Sequence, residues 1–217
     1  MKWKICGLRR KEDIEAADKL GADYLGFIFY PKSPRFISFE DWKALDLSGD
    51  QLAKAVFVSV EPSGEDIRQA LEVGFRHFQI HLPEGTEGET YLKELRKYPG
   101  MEEVELWLAP KIHSAKEFRP EWLPFIDGVL IDGKKKGFFG GTGKRADWRL
   151  FSELKEKYPE KQWILAGGLG PGDVVEAISR SGARILDFNS AIETAPGEKD
   201  VVSLEMLARE IQSYSSS

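Results

Sequence analysis

The feature that most constrains this chain is a repeated grammar of short apolar run, helical pattern, glycine and apolar run again. The apolar runs fall at 3–6, 24–29, 53–60, 76–81, 104–109, 128–132, 163–166 and 185–188. Runs this short, bounded by turn residues and separated by helix-period segments, predict strands of a parallel sheet linked by crossover helices. Between the first two, residues 12–20 place Ile14, Ala17 and Leu20 on one helical face, and Gly21 follows as a stop. The same pattern predicts a helix over 63–73, capped by Ser63 and closed by Gly74, and another over 172–179 ahead of Gly182. Parallel strands with crossover helices either spread into a doubly wound sheet or close into a barrel. Eight units within 217 residues favour closure. The expected architecture is therefore α/β, a single (β/α)8 barrel over residues 1–212, with 213–217 as a frayed tail.

Composition excludes several classes of function. Hydrophobic residues make up 41% and charged residues 31%, enough to bury a core and keep a mixed-charge surface. A formal net charge of -5 argues against a surface for nucleic acid or an anionic membrane. No apolar stretch approaches the roughly 18 to 20 residues that span a bilayer. The first residues enter a strand pattern with no leader-like signal, and a lone cysteine forms no internal disulfide, so a cytoplasmic location is expected. The expected partner is a small molecule; monomer and homodimer both stay open.

In such a barrel the site is built where the strands end, so reactive residues there form a short list. Cys6 ends the first run and is followed by Gly7. A strand cysteine is usually a small buried hydrophobe; as a base it needs its thiolate, stabilised by donors or positive charge. Asp132 ends the sixth run, where a carboxylate either caps a helix or does chemistry, and a glycine-rich stretch over 133–143 suited to a lid follows it. Within that stretch Lys134 to Lys136 read as a solvated charge run, and Phe138 and Phe139 as shields or loop anchors. Gly167 and Gly168 follow the seventh run and precede Pro171, whose fixed φ suits a helix's first turn, while Asn189 and Ser190 follow the eighth. Two such loops side by side point to a phosphate site. Arg35 lies in the loop after the second run, just past two prolines that stiffen it, either in a surface salt bridge or gripping a carboxylate. His81 and Asp187 read first as rim hydrogen-bonding residues. His77 and His113 show no metal-ligand spacing, and no metal site is expected.

Taken together, Lys4-Ile5-Cys6-Gly7, the run from Gly26 through Tyr30-Pro31-Lys32-Ser33-Pro34-Arg35 to Ile37, Phe78-Gln79-Ile80-His81, Leu130-Ile131-Asp132, Gly140-Gly141-Thr142-Gly143, Asp147-Trp148, Ala166-Gly167-Gly168-Leu169 and Asp187-Phe188-Asn189-Ser190 through Glu193 resemble the phosphoribosylanthranilate isomerases. These blocks fall in order across nearly the whole chain. The resemblance implies a cofactor-free Amadori rearrangement of N-(5-phosphoribosyl)anthranilate in tryptophan biosynthesis. It implies Asp132 as general acid and Cys6 as general base, Arg35 on the anthranilate carboxylate, and Gly167, Gly168, Asn189 and Ser190 around the phosphate, with His81 and Asp187 also at the site. An acid and a base working together need environments that separate their ionisation; burial is expected to raise Asp132 and local donors to lower Cys6.

The sequence departs from that family's pattern at Leu82-Pro83-Glu84 after the fourth strand, at Ala191 where a glycine is usual, and in the lysines of the 133–143 stretch. Ala191 puts in question how closely the backbone approaches a phosphate there. Three alternatives are weighed. A sister isomerase of histidine biosynthesis resembles this family but carries aspartate where Cys6 stands. Schiff-base aldolases would need a lysine ending an interior strand, and none of the eight runs ends in one. A non-catalytic binder of phosphorylated ligands would keep the pocket without needing both Cys6 and Asp132.

Overall fold

Eight parallel strands follow one another in chain order and close on themselves: β1 (Lys2–Cys6), β2 (Tyr24–Ile28), β3 (Ala55–Val60), β4 (His77–Leu82), β5 (Glu105–Pro110), β6 (Gly128–Ile131), β7 (Gln162–Leu165) and β8 (Ile185–Phe188). The computed structural model describes residues 1–83, 85–132 and 147–215; the glycine-rich stretch after Asp132, with its lysines and phenylalanines, and Glu84 lie outside them. Helices α1 (Lys11–Lys19), α2 (Phe39–Ala44), α3 (Gly49–Lys54), α4 (Gly64–Glu72), α5 (Gly88–Leu95), α6 (Trp148–Lys157), α7 (Val174–Ser181) and α8 (Val201–Ser215) make the connections and the outer ring. A hairpin of β9 (Glu193–Ala195) and β10 (Glu198–Lys199) lies between β8 and α8.

Local chemistry explains these limits. Ser38, Ser48 and Ser63 accept from backbone N–H groups at the starts of α2, α3 and α4, and Asp147 does so for α6. Gly182 closes α7 in the left-handed conformation, with φ of 64°. Some expected boundaries shift. The third strand begins at Ala55 because residues 53 and 54 complete α3. Helix α7 starts at Val174 rather than at Gly172, whose φ of 88° keeps it out of the helix. At the other end α8 runs to Ser215, past the expected end at 212; no glycine or proline interrupts it.

Alternation along each strand divides the core in two. Trp3, Ile5, Leu25, Phe27, Phe57, Phe78 and Leu108 face the helices. Cys6, Tyr24, Val56, Val58, Trp107, Ala109, Leu130, Ile164, Ala166 and Ile185 fill the barrel interior. Trp107 is wholly buried and packs edge-on to Tyr24 at 4.8 Å; a Cβ on Gly128 would come within 2.8 Å of its ring, so glycine there makes room for the indole. These rings plug the interior below the strands' carboxyl ends, where Cys6 and Ala166 reach the floor of a pocket.

Arg96, just after α5, holds the underside together. Its guanidinium donates to the carbonyls of Phe125 (2.7 Å), Met101 (2.8 Å) and Val104 (2.9 Å) and to Asp127 (2.7 Å), joining α5 to the starts of β5 and β6. Truncation would strand several acceptors at once, so Arg96→Ala is expected to cost about 3 kcal/mol in urea unfolding while leaving the distant pocket intact. A loss under about 1 kcal/mol would show that water replaces these bonds.

Candidate active site

At the carboxyl ends of the strands a pocket of about 740 Å³, counting its open mouth, is walled by residues from seven of the eight strand–loop units. Cys6 lies at its base, buried, at the end of β1, and Asp132, half-buried, reaches it from directly after β6. His81 from β4, Asp187 from β8, Gly167 and Gly168 after β7, and Asn189 and Ser190 after β8 line the same space. Of the nine residues expected at the site, Arg35 alone does not line this pocket.

Arg35 already grips a carboxylate. Its Nε donates to both oxygens of Glu193 (2.9 and 3.0 Å) and its Nη2 donates to Oε2 (2.6 Å), a two-pronged pair that leaves the Nη1 edge outside the grip. Both side chains are buried, so this is not the surface salt bridge considered from sequence. Gly7 permits the arrangement: at φ of 77°, a Cβ there would lie 2.6 Å from Arg35 Cδ and 2.9 Å from Asn189 Oδ1. Glu193 also accepts from Lys199 Nζ at 2.7 Å, and that ammonium donates to Asn189 Oδ1 at 3.1 Å. Deeper in the barrel, the fully buried Lys4 pairs with Asp187 at 2.8 Å. Three cations, Lys4, Arg35 and Lys199, thus share two directly paired anions, a surplus suited to an anionic ligand.

These charges set the ionisation of the site. Burial pushes Glu193 up, but Arg35 and Lys199 outweigh it and hold its carboxyl below the usual range. Burial draws Lys4 down, yet Asp187 and then Cys6 keep its ammonium charged more firmly than in water. Cys6 corrects an expectation. Burial raises its thiol and Asp187 adds to this, and the opposing pull of Lys4 and Lys199 does not bring it below its ordinary value, so the resting sulfur is protonated.

Lys4, Glu193 and Lys199 complete the site and were not assigned roles from sequence. Period 2 could have found Lys4, two residues before Cys6 and so on the same inward face. Pro196-Gly197 between Glu193 and Lys199 is a turn signal for the hairpin that carries both. His81 lies within β4 rather than at its end, its Nε2 2.9 Å from Gln79 Nε2; Asp187 is an ion-pair partner inside the barrel rather than a rim residue.

Gly167 and Gly168, at φ of 92° and 65°, turn the chain sharply above β7. The loops after β7 and β8 meet where the Ala191 methyl comes within 3.0 Å of the position a Cβ would take on Gly170, so the extra carbon fits against a glycine. Among the described residues no cluster of three or more His, Cys, Asp or Glu could hold a metal ion, and no helix is long and apolar enough to cross a membrane.

A closed parallel barrel with a polar pocket at its strands' carboxyl ends defines a (β/α)8-barrel enzyme. Its sequence matches the family model for N-(5'phosphoribosyl)anthranilate (PRA) isomerase over residues 3–209, and the chain belongs to that family. It is 34% identical over 204 residues to N-(5'-phosphoribosyl)anthranilate isomerase of Zymomonas mobilis subsp. mobilis, with 93% of each chain covered. The crystal structure of phosphoribosyl anthranilate isomerase from Thermus thermophilus superposes with a TM-score of 0.79 at 28% identity, covering 99% of this chain and 100% of that one. A phosphoribosyl anthranilate isomerase solved with reduced 1-(o-carboxyphenylamino)-1-deoxyribulose 5-phosphate gives 0.74 at 25% identity, over 98% and 99% of the two chains.

Because the Glu193 carboxyl titrates lower in the folded chain than in the unfolded one, its contribution to stability is present above the unfolded value, about 4.3, and is lost as pH falls through the folded one. Urea midpoints should therefore drop between pH 6 and pH 3, and Glu193→Gln, which cannot titrate, should make that drop shallower. An unchanged slope in the variant would assign the acid limb to other carboxylates.

Proposed function

We propose that this chain isomerises N-(5-phosphoribosyl)anthranilate to 1-(2-carboxyphenylamino)-1-deoxyribulose 5-phosphate, with Asp132 as general acid and Cys6 as general base. The observation that carries the residue assignments is that these two groups, 126 positions apart in sequence, line one pocket whose rim holds two loops suited to a phosphate. The family to which the chain belongs supports the reaction, and the product analogue held by a structural relative supports the substrate class.

The steps balance without a redox partner, because substrate and product have the same composition. Asp132 donates a proton to the furanose ring oxygen, the C1–O bond breaks, and the anilino nitrogen lone pair forms a protonated Schiff base at C1. Cys6, as thiolate, removes the C2 proton to give an enolamine. Return of a proton to C1 and loss of the one on the C2 hydroxyl yield the ketone. Gly167, Gly168, Asn189 and Ser190 are assigned to the phosphate, whose charge their loops meet with backbone and side-chain donors. Arg35 is assigned to the anthranilate carboxylate through the Nη1 edge that Glu193 leaves outside its grip. His81 and Asp187 are assigned to the wall around the ribose, Asp187 acting through Lys4. In this reading the enzyme works in the cytoplasm, as monomer or homodimer, on a free small-molecule substrate.

The test is the loss of phosphoribosylanthranilate fluorescence, with the labile substrate generated in situ. Wild type should outrun the spontaneous reaction, and Cys6→Ser and Asp132→Asn should each lose roughly 10²- to 10⁴-fold in kcat, the range for a general acid or base. Folded wild type without acceleration would overturn the reaction assigned; a fully active variant would overturn the role of the residue replaced. Because the resting thiol is protonated, kcat/KM should also climb as pH rises through neutrality. A flat profile would point to a base other than sulfur.

A further inference from the structure

The roles assigned to Asp132 and Cys6 leave unexplained why a lysine is sealed inside the barrel with no route to solvent. Lys4 has no exposed surface, and its ammonium lies 2.8 Å from Asp187 Oδ1 and near enough to Cys6 for the two charges to act on each other. Space is made for it. A Cβ on Gly26 would sit 3.0 Å from both Lys4 Cε and Nζ and 3.1 Å from Cys6 Cα, so the glycine of β2 opposite Cys6 forms the notch in which the ammonium rests. A lysine held only for stability would be a poor use of that space, since an apolar side chain of similar volume, with Asp187 also replaced, serves a barrel interior as well or better.

We propose that Lys4 is a positioning residue for the reaction: from beneath the substrate pocket it holds a fixed positive charge against Cys6, and this charge is what allows that sulfur to act as a thiolate base. The proposal rests on the reading of Cys6 as the base and adds the group that makes it one. The groups facing Cys6 are few. Lys4 shares its strand, Asp187 comes from β8 and Lys199 from β10, while His81 and Asp132 stand across the pocket; β2 offers Gly26 and no charge. Among them Lys4 exerts the largest pull toward the thiolate, with Lys199 adding to it, against burial and Asp187. Asp187 in turn keeps Lys4 protonated, so the carboxylate acts on the sulfur in two opposed ways, of which the indirect one is the useful one.

Cys6 is the only cysteine in the chain, so its ionisation can be read without interference. The thiol of wild type and of Lys4→Met is titrated by thiolate absorbance near 240 nm and by the pH dependence of iodoacetamide alkylation, beside a pH profile of kcat/KM. Loss of the ammonium should raise the apparent thiol pKa by about one unit or more, which slows alkylation near pH 8 about tenfold. Activity should fall by a similar factor at pH 7 and recover as pH passes the new value, a rescue that a merely structural lesion would not show. An unmoved thiol titration, or an activity loss equal at every pH, would overturn the proposal. Lys4→Met leaves Asp187 buried without its cation; if it fails to fold, Lys4→Met/Asp187→Asn removes both charges, and a raised thiol pKa is still expected because Lys4 outweighs Asp187 at the sulfur. The two readings fail separately. A fully active Cys6→Ser refutes the base while the thiol titration still judges Lys4; an inactive Cys6→Ser with an unmoved titration refutes Lys4 and leaves the base standing.

Discussion

The pairing of β1 with β8 is the constraint on which the rest depends. It is the only strand contact that joins the two ends of the sequence, and its register sets Lys4 beside Asp187 and Ile5 beside Phe188. Closing the barrel therefore also forms the ion pair, and the pair in turn makes the closure specific. A shift of one residue would turn Lys4 toward the helix-facing layer of Trp3 and Ile5 and bury an unpaired ammonium among hydrocarbon. Once that seam is formed, Cys6 stands at the base of the pocket, and the hairpin after β8 folds over it to deliver Glu193 and Lys199.

What the sequence revealed, and what it did not, follows from the range of the interactions. Strand period and helix stops are local, so the eight strands were legible to within two residues at their starts. Cys6, Asp132, His81, Asp187, Asn189, Ser190 and the two glycines were legible as site candidates because closure gathers strand ends at one face. Arg35 was legible as a carboxylate grip but not its partner in the resting chain, because Glu193 lies 158 residues away on a hairpin that shows no strand period of its own. Lys4 was passed over because a lysine in a barrel interior runs against the usual distribution of charge, and only the contact with Asp187, 183 residues distant, makes it tolerable. The ionisation of Cys6 was expected in the wrong direction for the same reason: donors near a strand end can be guessed, but the depth of burial that outweighs them is a property of the closed barrel.

Position within the site separates two kinds of polar group. Asp132 is half-buried at the mouth, where a carboxyl group can meet both substrate and water. Lys4 and Lys199 are sealed from solvent, Cys6 is buried at the pocket base, and all three feel chiefly one another and their two carboxylate partners. One barrel thus places a carboxyl group open to exchange and a sulfur surrounded by fixed internal charges in the same pocket.

The seam also bears on how the chain is made. A ribosome releases Lys4 and Cys6 well before Asp187, Glu193 and Lys199, which follow more than 180 residues later. Until then the ammonium of Lys4 lacks the carboxylate that justifies its burial, and the edge of β1 that faces β8 has no strand to pair with. The thiol stays equally unformed as a site. The surroundings of Cys6 are therefore completed only after β8 has been made, and a nascent chain stalled short of β8 would hold that cysteine in an ordinary aqueous setting.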